Sequence, residues 1–369
     1  MKSRRVVVVG GGIIGTAVAL AAADRGHEVV QLERDDEPRG ASLRNFGLIW
    51  ICGRAGGREL ELALSGRERW LELSERAPAI AFRATGCLLT ARDQAELDVI
   101  AAACARDDAA ARGFRLRTAE EARELEPRLT GIVGALHSPL DAIVEPGHAL
   151  AALRALAQAS GRYRFTPGRT VISVNGAAAD HLGTRHPADL VVLCPGDAVE
   201  LIPAEMQERA ALRRRNLQML ETDPPDPPAR MALADGDALR YYPAFDLPEL
   251  QQLPPPEPVV DRLGVQLLVA PRADERLTIG DTHVDDRPGA FGSEEEADEH
   301  LLGRASGLLA NAALRVRRRW TGSYLRRGDG RDCVLIEETP GALLVAAAGG
   351  MGMTAAPAIA AEALAKAGL

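Results

Sequence analysis

The sequence has few cysteines, almost no lysine and no long apolar run beyond its first residues. Its five cysteines lie far apart, are odd in number and form no C-x-x-C pair, which fits neither a disulfide framework nor a zinc site. We therefore expect a cytoplasmic protein without a metal site. Only Lys2 and Lys366 are lysines among 44 basic residues, so chemistry through a buried lysine is nearly excluded. Beyond the N-terminus, no stretch approaches the ~18 apolar residues of a membrane span.

The charge pattern also excludes some classes of partner. The net charge is -8 and the basic residues are scattered, so we expect no footprint for nucleic acid or an anionic membrane. The densest basic run, Arg213-Arg214-Arg215, is interpreted as a solvated face. The 369 residues and the hydrophobic share of 46% instead predict a globular protein of about two or three domains.

The opening stretch, MKSRRVVVVGGGIIGTAVALAAADRG, fits two descriptions. Basic residues, an apolar run and closing alanines are typical of a secretory signal peptide. A β-branched strand, a glycine turn and a small-residue helix are typical of a nucleotide-binding unit. The four valines at 6–9 stop at three consecutive glycines, which would weaken the helix of a signal peptide. We therefore favour the nucleotide-binding unit.

Gly10, Gly12 and Gly15 form a G-x-G-x-x-G pattern. The first glycine makes the tight turn, the second lets a pyrophosphate approach the backbone, and the third lets the helix pack closely on the strand. A second predicted strand ends at Glu33, 18 residues after Gly15, about where this unit needs a carboxylate for ribose hydroxyls. The pattern predicts that the helix N-terminus cradles the diphosphate of NAD or FAD.

Three later stretches bear on the choice between these cofactors. They are a polar loop at 40–48, a buried strand that ends at Gly196, and a strand, glycine turn and helix beginning at 342. A helix N-terminus near the cofactor would stabilise negative charge on a reduced flavin. Together with Val269-Ala270-Pro271-Arg272, the run 277–282 and Trp320-Thr321-Gly322, these stretches resemble the FAD-dependent oxidoreductases of the D-amino-acid oxidase, glycine oxidase and sarcosine oxidase superfamily. NAD is the minor alternative.

The resemblance implies an α/β fold with a discontinuous, Rossmann-like FAD-binding domain and an inserted α+β substrate domain built on an antiparallel sheet. We expect the FAD-binding domain at 1–84, 140–215 and 310–369, and the substrate-binding domain at 85–139 and 216–309. Two capping boxes, Thr118-x-x-Glu121 and Ser293-x-x-Glu296, predict short helices. The proline-rich segment 224–258 predicts a long loop over the site.

The resemblance also implies which residues hold FAD. They are Gly10, Gly12, Ile14, Gly15, Glu33, Arg34, Ser42, Arg44, Asn45, Phe46, Gly47, Val171, Gly196, Gly349, Gly350, Met351, Gly352, Met353 and Thr354. Sarcosine oxidases tether their flavin through a cysteine near the W-x-G motif. Here Cys333 lies about ten residues too late, so we expect non-covalent FAD.

In this superfamily an amine gives hydride to the flavin, the imine hydrolyses, and O2 reoxidises the flavin to give H2O2. The protein orients the reactants and excludes water. The resemblance implies that the side chain of His283 lies over the flavin, and Tyr324, Gln266, Tyr241 and Tyr242 are further candidates for the substrate site. The amino-acid oxidases bind a carboxylate through an arginine after W-x-G, where this sequence has Tyr324, and an arginine that some members place in the last glycine turn is also missing.

The stretches 41–50 and 280–283 further resemble a bacterial subgroup proposed to oxidise aminophosphonates. This implies a small primary amine such as 2-aminoethylphosphonate or its 1-hydroxy derivative, with the phosphonate near His283, Tyr324 and Arg44 or Arg326. One alternative is a glycine, sarcosine or D-amino-acid oxidase or dehydrogenase that uses arginines such as Arg326 or Arg327. The other is a dinucleotide-binding sensor without enzymatic activity.

Non-covalent FAD predicts that acid precipitation releases the yellow colour into the supernatant, because no bond from the chain would hold the flavin. The absorbance of the supernatant and of the washed pellet checks this. Colour that stays in the pellet would mean a covalent flavin, and Cys333→Ser would then test whether that thiol forms the link.

Overall fold

The computed structural model describes residues 2–286, 292–310, 313–329 and 333–369. Its helices are α1 (Ile13–Asp24), α2 (Arg58–Arg76), α3 (Gln94–Cys104), α4 (Ala109–Arg112), α5 (Ala119–Leu125), α6 (Pro146–Ala159), α7 (Ala204–Arg209), α8 (Asp237–Tyr241), α9 (Pro258–Leu263), α10 (Glu295–Leu308) and α11 (Gly352–Lys366). Short 3-10 helices lie at Ala41–Leu43, Pro78–Ile80, Val199–Leu201, Pro243–Phe245, Pro248–Gln252 and Gly349–Met351. The strands are β1 (Arg5–Val9), β2 (Glu28–Leu32), β3 (Leu48–Ile49), β4 (Cys87–Ala91), β5 (Arg115–Thr118), β6 (Gly134–Ser138), β7 (Ala142–Ile143), β8 (Tyr163–Thr166), β9 (Val171–Val174), β10 (Ala177–Asp180), β11 (Arg185–Pro187), β12 (Leu190–Leu193), β13 (Arg213–Thr222), β14 (Ala232–Ala234), β15 (Leu268–Pro271), β16 (Leu277–Gly280), β17 (Val284–Asp285), β18 (Val316–Arg326), β19 (Leu335–Thr339) and β20 (Ala342–Ala346).

A mostly parallel sheet carries the N-terminal glycine turn. Within the described ranges its strand order is β19-β20-β12-β1-β2-β8, and β19 alone is antiparallel to its neighbour. Val6 and Val8 pack with α1, α6 and α11, whereas Val7 and Val9 pack toward the small sheet β11-β10-β9. Because both faces are covered, β1 is apolar without alternation. The predicted Rossmann-like α/β fold is confirmed.

A second, largely antiparallel sheet contains most of the remaining strands, which alternate along the chain with those of the first sheet. Its order is β17-β13-β16-β15-β14-β4-β6-β5, and β18 also pairs with β13. The β13–β18 ladder runs from Arg213 opposite Arg326 to Thr222 opposite Val316. The predicted antiparallel sheet is therefore present.

The predicted domain boundaries do not follow the ends of the strands. The strand β13 begins at Arg213, before the expected boundary at 215/216, and β18 belongs to the antiparallel sheet although it lies in 310–369. The division into two domains stays a proposal. It is supported by separate apolar cores under the two sheets.

Three local predictions had different outcomes. Thr118 and Glu121 form the predicted capping box at the start of α5. The box predicted at Ser293 is wrong, since α10 has Glu294 as its N-cap without a side-chain cap, and it is 14 residues long rather than short. The segment 224–258 is not one long loop, because it contains β14, α8 and two 3-10 helices. Among the described residues, no helix combines the length and apolarity that a membrane crossing requires.

The contact between α2 and α11 gives a test of this packing. A Cβ at Gly66 would lie 2.3 Å from the carbonyl oxygen of Thr354, so Gly66→Ala should lower the free energy of unfolding by about 1–3 kcal/mol. Gly303→Ala in α10 is the matched control, since a Cβ there meets nothing within 4 Å. It should raise stability by about 0.5–1 kcal/mol through helix propensity. Denaturant unfolding measures both, and effects of the same sign would contradict this description.

Candidate active site

The turn after β1 brings three backbone segments into close contact. Gly10 has φ of 111°, and a Cβ there would lie 2.2 Å from the carbonyl oxygen of Cys194. A Cβ at Gly15 would lie 2.2 Å from the carbonyl oxygen of Gly10. Glycine is therefore required at both positions. The helix α1 starts here with no acidic residue in its first turn, which leaves the positive end of its dipole available to an anion.

Two predicted cofactor side chains lie at this turn. Glu33 is 8% exposed and accepts hydrogen bonds from Gly11 N at 2.6 Å and from Asp35 N at 3.0 Å. Ser42 Oγ accepts from Ile13 N at 2.8 Å. A carboxylate has about four acceptor positions, so Glu33 keeps capacity for ribose hydroxyls after these two bonds.

The loop that contains Ser42 is shaped by its own side chains. Asn45 Nδ2 donates to the carbonyl oxygens of Ala41 at 2.8 Å and Ser42 at 3.0 Å, and Asn45 Oδ1 accepts from Gly47 N at 2.7 Å. Gly47 has φ of 73°, and a Cβ there would lie 2.1 Å from Val144 O. Asn45 and Gly47 thus set the path of the loop.

The last glycine turn lies between β20 and α11. Ala347 and Gly349 both have positive φ, at 55° and 54°. Arg54 Nη2 donates to Gly350 O at 3.2 Å. Thr354 Oγ1 accepts from Trp50 N at 2.9 Å, so Thr354 fastens α11 to the segment after β3.

One cavity of about 1020 Å3 is lined by residues of both large sheets. Its size suits a large cofactor together with a small ligand. Of the predicted cofactor residues, it is lined by Gly10, Gly12, Ile14, Gly15, Glu33, Arg34, Ser42, Arg44, Asn45, Phe46, Val171, Gly196, Gly349, Gly350, Met351, Gly352 and Met353. Among the described residues Gly47 and Thr354 are outside this lining. The predicted substrate residues His283, Tyr324, Arg44, Arg326, Gln266 and Tyr241 all line it.

Two arginines share one carboxylate at the edge of this cavity. Arg215 Nε and Nη2 donate to the two oxygens of Asp285 at 2.7 and 2.9 Å. Arg326 donates to the same oxygens through Nε and Nη2. Burial acts to raise the pKa of Asp285, but the hydrogen bonds from both guanidinium groups outweigh it and hold that pKa well below its usual range. The three groups together carry one net positive charge.

Aromatic hydroxyls lie beside Arg215. Tyr324 is directly opposite Arg215 in the β13–β18 ladder, and both Tyr324 and Tyr241 line the cavity. Arg215 Nη1 donates to Tyr241 Oη at 3.4 Å. Burial raises the pKa of both tyrosines, so their hydroxyls are neutral. The Tyr241 ring stacks on His283 with centroids 3.9 Å apart.

His283 is buried beside a carboxyl group. Its Nδ1 lies 2.9 Å from Gly264 O, which can only accept, so Nδ1 carries the proton of the neutral ring. Burial lowers the pKa of His283 to about 3, and the ring is uncharged at neutral pH. Its Nε2 lies 3.5 Å from Asp281 Oδ2. Burial raises the pKa of Asp281 to about 7.

Gln266 connects Asp281 to the aromatic wall. Its Nε2 donates to Tyr242 Oη at 3.1 Å and to Asp281 Oδ1 at 3.2 Å. Its Oε1 is buried and has no hydrogen-bond partner among the described residues. Gln266 therefore lines the cavity and carries a buried acceptor without a described partner.

Sequence reasoning missed several of the lining residues, among them Arg54, Arg215 and Asp281. The interpretation of the arginine run as a solvated face holds for Arg213 and Arg214 but is wrong for Arg215, whose side chain is 14% exposed. Its pairing with Tyr324 crosses more than a hundred residues and leaves no local signal. Asp281 had a signal, since it lies two residues before His283 in the same motif.

The glycine cradle, the positive helix end and Glu33 fit the diphosphate and ribose of FAD. Fold and site thus define a dinucleotide-dependent oxidoreductase. Residues 5–367 match the DAO family of FAD-dependent oxidoreductases, and the chain belongs to that family. It is an FAD-dependent enzyme, so the NAD and sensor alternatives are excluded.

Solved structures share the fold at low sequence identity. Glycine oxidase from Geobacillus kaustophilus has a TM-score of 0.76 and 22% identity, with 97% of this chain and 93% of that chain covered. Iminodiacetate oxidase from Chelativorans sp. BNC1 has a TM-score of 0.75 and 20% identity, with 97% and 94% covered. These similarities concern the fold alone.

A curated relative is closer in sequence over a shorter stretch. The 4-methylaminobutanoate oxidase (formaldehyde-forming) of Paenarthrobacter nicotinovorans is 34% identical over 165 residues, which are 42% of this chain. The match spans only 19% of that relative's length.

The position of Glu33 predicts that Glu33→Ala weakens FAD binding by about 1–3 kcal/mol, the range for a lost charge-assisted hydrogen bond. Glu28→Ala is the control, since Glu28 lies at the exposed start of β2, the strand that ends just before Glu33, and its side chain pairs only with Arg162 among the described residues. Titration of the apoprotein with FAD measures both dissociation constants. Equal FAD affinity in Glu33→Ala and the wild type would place the ribose contact elsewhere.

Proposed function

We propose that the enzyme oxidises a small primary amine that carries a phosphonate at its other end, such as 2-aminoethylphosphonate or its 1-hydroxy derivative. The observation that carries this proposal is that Tyr324, two residues after Trp320-Thr321-Gly322, lies directly opposite Arg215 in the β13–β18 ladder. An amino-acid oxidase of the family would have a carboxylate-binding arginine at the position of Tyr324. A tyrosine offers one hydroxyl in place of a fork of parallel donors.

The donors at this end suit an anion with more than two oxygens. The Nε and Nη2 groups of Arg215 are already bound to Asp285, so its fork is not free to bind a carboxylate side-on. The remaining donors are single groups from different elements, namely Arg215 Nη1 and the hydroxyls of Tyr241 and Tyr324. A phosphonate has three oxygens in a tetrahedral arrangement and up to two negative charges, so it can meet donors from several directions.

The two arginines expected at the anion are engaged elsewhere to different extents. Arg44 Nη1 donates to Thr321 O at 2.9 Å, and its other groups lie at the exposed edge of the cavity. Arg326 is bound to Asp285 and, through Nη1, to Arg327 O. We infer that Arg326 supports the positive charge of the Arg215–Asp285 pair, while Arg44 contributes from the cavity edge.

Bound FAD would supply the hydride acceptor, with O2 as the terminal acceptor and H2O2 as the product. The chain orients the amine and excludes water. Three rings form one continuous wall of the cavity: the Trp50 and Tyr242 centroids are 5.5 Å apart, and those of Tyr241 and Tyr242 are 5.0 Å apart. Such a wall would hold a short carbon chain between the anion site and the acceptors at Gln266 and Asp281.

An N-methyl amino acid is a second candidate substrate. The relative from Paenarthrobacter nicotinovorans is named for 4-methylaminobutanoate, which also has nitrogen at one end and an anion at the other. This candidate belongs to the same class as the glycine, sarcosine and D-amino-acid oxidase alternative.

A peroxide assay distinguishes these substrates. The kcat/KM for 2-aminoethylphosphonate and its 1-hydroxy derivative should exceed that for glycine, sarcosine, D-alanine and 4-methylaminobutanoate by at least about tenfold, which corresponds to about 1.4 kcal/mol of preference. A preference for any of the four carboxylates would reject the phosphonate.

Variants of β13 and β18 test the anion site with the same assay. Arg215→Met should raise the KM for the phosphonate by about 10–150-fold, because a charged hydrogen bond contributes about 1.5–3 kcal/mol. Tyr324→Phe should have a smaller effect in the same direction, and His283→Ala should also lower activity. Arg213→Met is the matched control from the same arginine run, since the Arg213 side chain is 57% exposed, and its KM should stay within about twofold. Similar KM values in both methionine variants would show that Arg215 does not meet the anion.

A further inference from the structure

Three neighbouring residues of the cavity lining carry hydrogen-bond acceptors, namely the Asp281 carboxyl group, Gln266 Oε1 and His283 Nε2. Asp281 lies 3.2 Å from Gln266 Nε2 and 3.5 Å from His283 Nε2. Asp281 and Gln266 are 5% and 1% exposed. The cluster is thus shielded from water except through the cavity.

Apart from Gln266 Nε2, which donates to Asp281 Oδ1, the described side chains of the cluster offer acceptors rather than donors. In the described part of the chain, Asp281 forms no ion pair with an arginine or lysine, and Gln266 Oε1 has no hydrogen-bond partner. His283 cannot donate from Nε2, because Nδ1 holds the proton of the neutral ring and is committed to Gly264 O. An unsatisfied buried acceptor costs about 1–3 kcal/mol. A ligand with several N–H groups and a positive charge would remove this cost.

We propose that Asp281 and Gln266 bind the ammonium group of the substrate and that Asp281 accepts its proton before oxidation. This inference rests on the proposed function only in that the substrate is an amine. The N–H bond of the ammonium breaks, its electron pair stays on nitrogen, and an O–H bond forms on Asp281. Ammonium and carboxylate become neutral amine and carboxylic acid. The nitrogen lone pair is then available to form the C=N bond as hydride leaves the adjacent carbon.

The surroundings favour such a reversible proton acceptor. Burial raises the pKa of Asp281 to about 7, close to the pH at which a general base works best. The titratable and charged groups that face it are His283 from the same turn, Arg215 from β13, Tyr241 and Tyr242 from the end of α8, and Tyr324 from β18. The histidine and the tyrosines are neutral. Arg215 is the one charge among the described groups, and it favours the carboxylate form.

The test is the pH dependence of flavin reduction in the holoenzyme. The enzyme is mixed without oxygen with 2-aminoethylphosphonate, glycine and sarcosine in turn, and bleaching of the flavin absorption is followed between about pH 5 and pH 10. In the wild type the second-order rate constant should rise about tenfold per pH unit and level off near pH 7. Asp281→Asn should lose this rise of the rate constant with pH, which we call the pH limb, and should react about 100–1000-fold more slowly at pH 8.

Binding gives a second readout that does not need turnover. Methylammonium is titrated into the anaerobic holoenzyme, its affinity is read from the shift of the flavin absorption, and tetramethylammonium serves as the ligand without N–H donors. In the wild type, methylammonium should bind more tightly as the pH rises through about 7. In Asp281→Asn, its affinity should not depend on pH. Tetramethylammonium should bind at least about tenfold more weakly.

Two variants separate the proton acceptor from the rest of the site. Gln266→Leu should weaken methylammonium binding but keep the pH limb, since Gln266 does not titrate. Asp261→Asn, at an exposed position of α9, should leave the whole profile unchanged.

Asp281→Asn should retain its FAD, and its melting temperature at pH 8 should not fall below that of the wild type. The reason is that the amide replaces a buried group whose ionisation opposes folding above the unfolded pKa.

A limb that persists in Asp281→Asn, or a rate within about threefold of wild type at pH 8, would overturn the inference. If glycine is oxidised and 2-aminoethylphosphonate is not, the phosphonate proposal fails while Asp281 is still judged on glycine. If none of the three amines bleaches the flavin, methylammonium decides. Binding with the same pH dependence in the wild type and Asp281→Asn, or no binding to either, then overturns the role of Asp281.

Discussion

The ladder between β13 and β18 is the constraint on which the site depends. Its register places Arg215 directly opposite Tyr324, and its far end continues to Arg326, which forms a β-bridge with Ala348 at the last glycine turn. Because side chains alternate along a strand, a slip of one residue would turn Arg215 and Tyr324 to the opposite face of the sheet. One register therefore aligns the proposed anion donors with the turn that completes the dinucleotide cradle.

The parts of the molecule that could be predicted from sequence are those determined by nearby residues. The first strand, glycine turn and helix are encoded by adjacent residues, and a Cβ at Gly15 would meet the carbonyl oxygen of Gly10 five residues earlier; these elements are present as expected. The capping box at Thr118 is equally local. The last strand, turn and helix were also predicted, although α11 begins at Gly352 rather than near residue 355, because Gly352 already has helical φ and ψ of -52° and -44°.

The parts that could not be predicted depend on pairings between distant segments. Arg215 looked like a solvated residue until β18 was placed beside it, and Asp285 then bound its fork. Thr354 was expected at the cofactor, but its hydroxyl is used by the backbone at Trp50, more than 300 residues away in sequence. Composition also favoured one loop over residues 224–258, whereas the Arg92 and Arg304 ion pairs to Asp235 and Asp237 support a folded segment there.

The carboxylate of Asp285 orients two arginines before any ligand binds, and this affects the selectivity of the proposed anion site. A free arginine side chain gives up about 2 kcal/mol of rotamer entropy when it becomes fixed. Asp285 fixes Arg215 and Arg326 during folding, so a ligand meets guanidinium groups that are already oriented. Shape discrimination at the proposed anion site would thus depend on Asp285, a residue outside the described cavity lining. A neutral side chain in place of Asp285 would increase the net positive charge of the site but would leave Arg215 and Arg326 without their shared partner. The site would then bind a broader range of anions with lower selectivity.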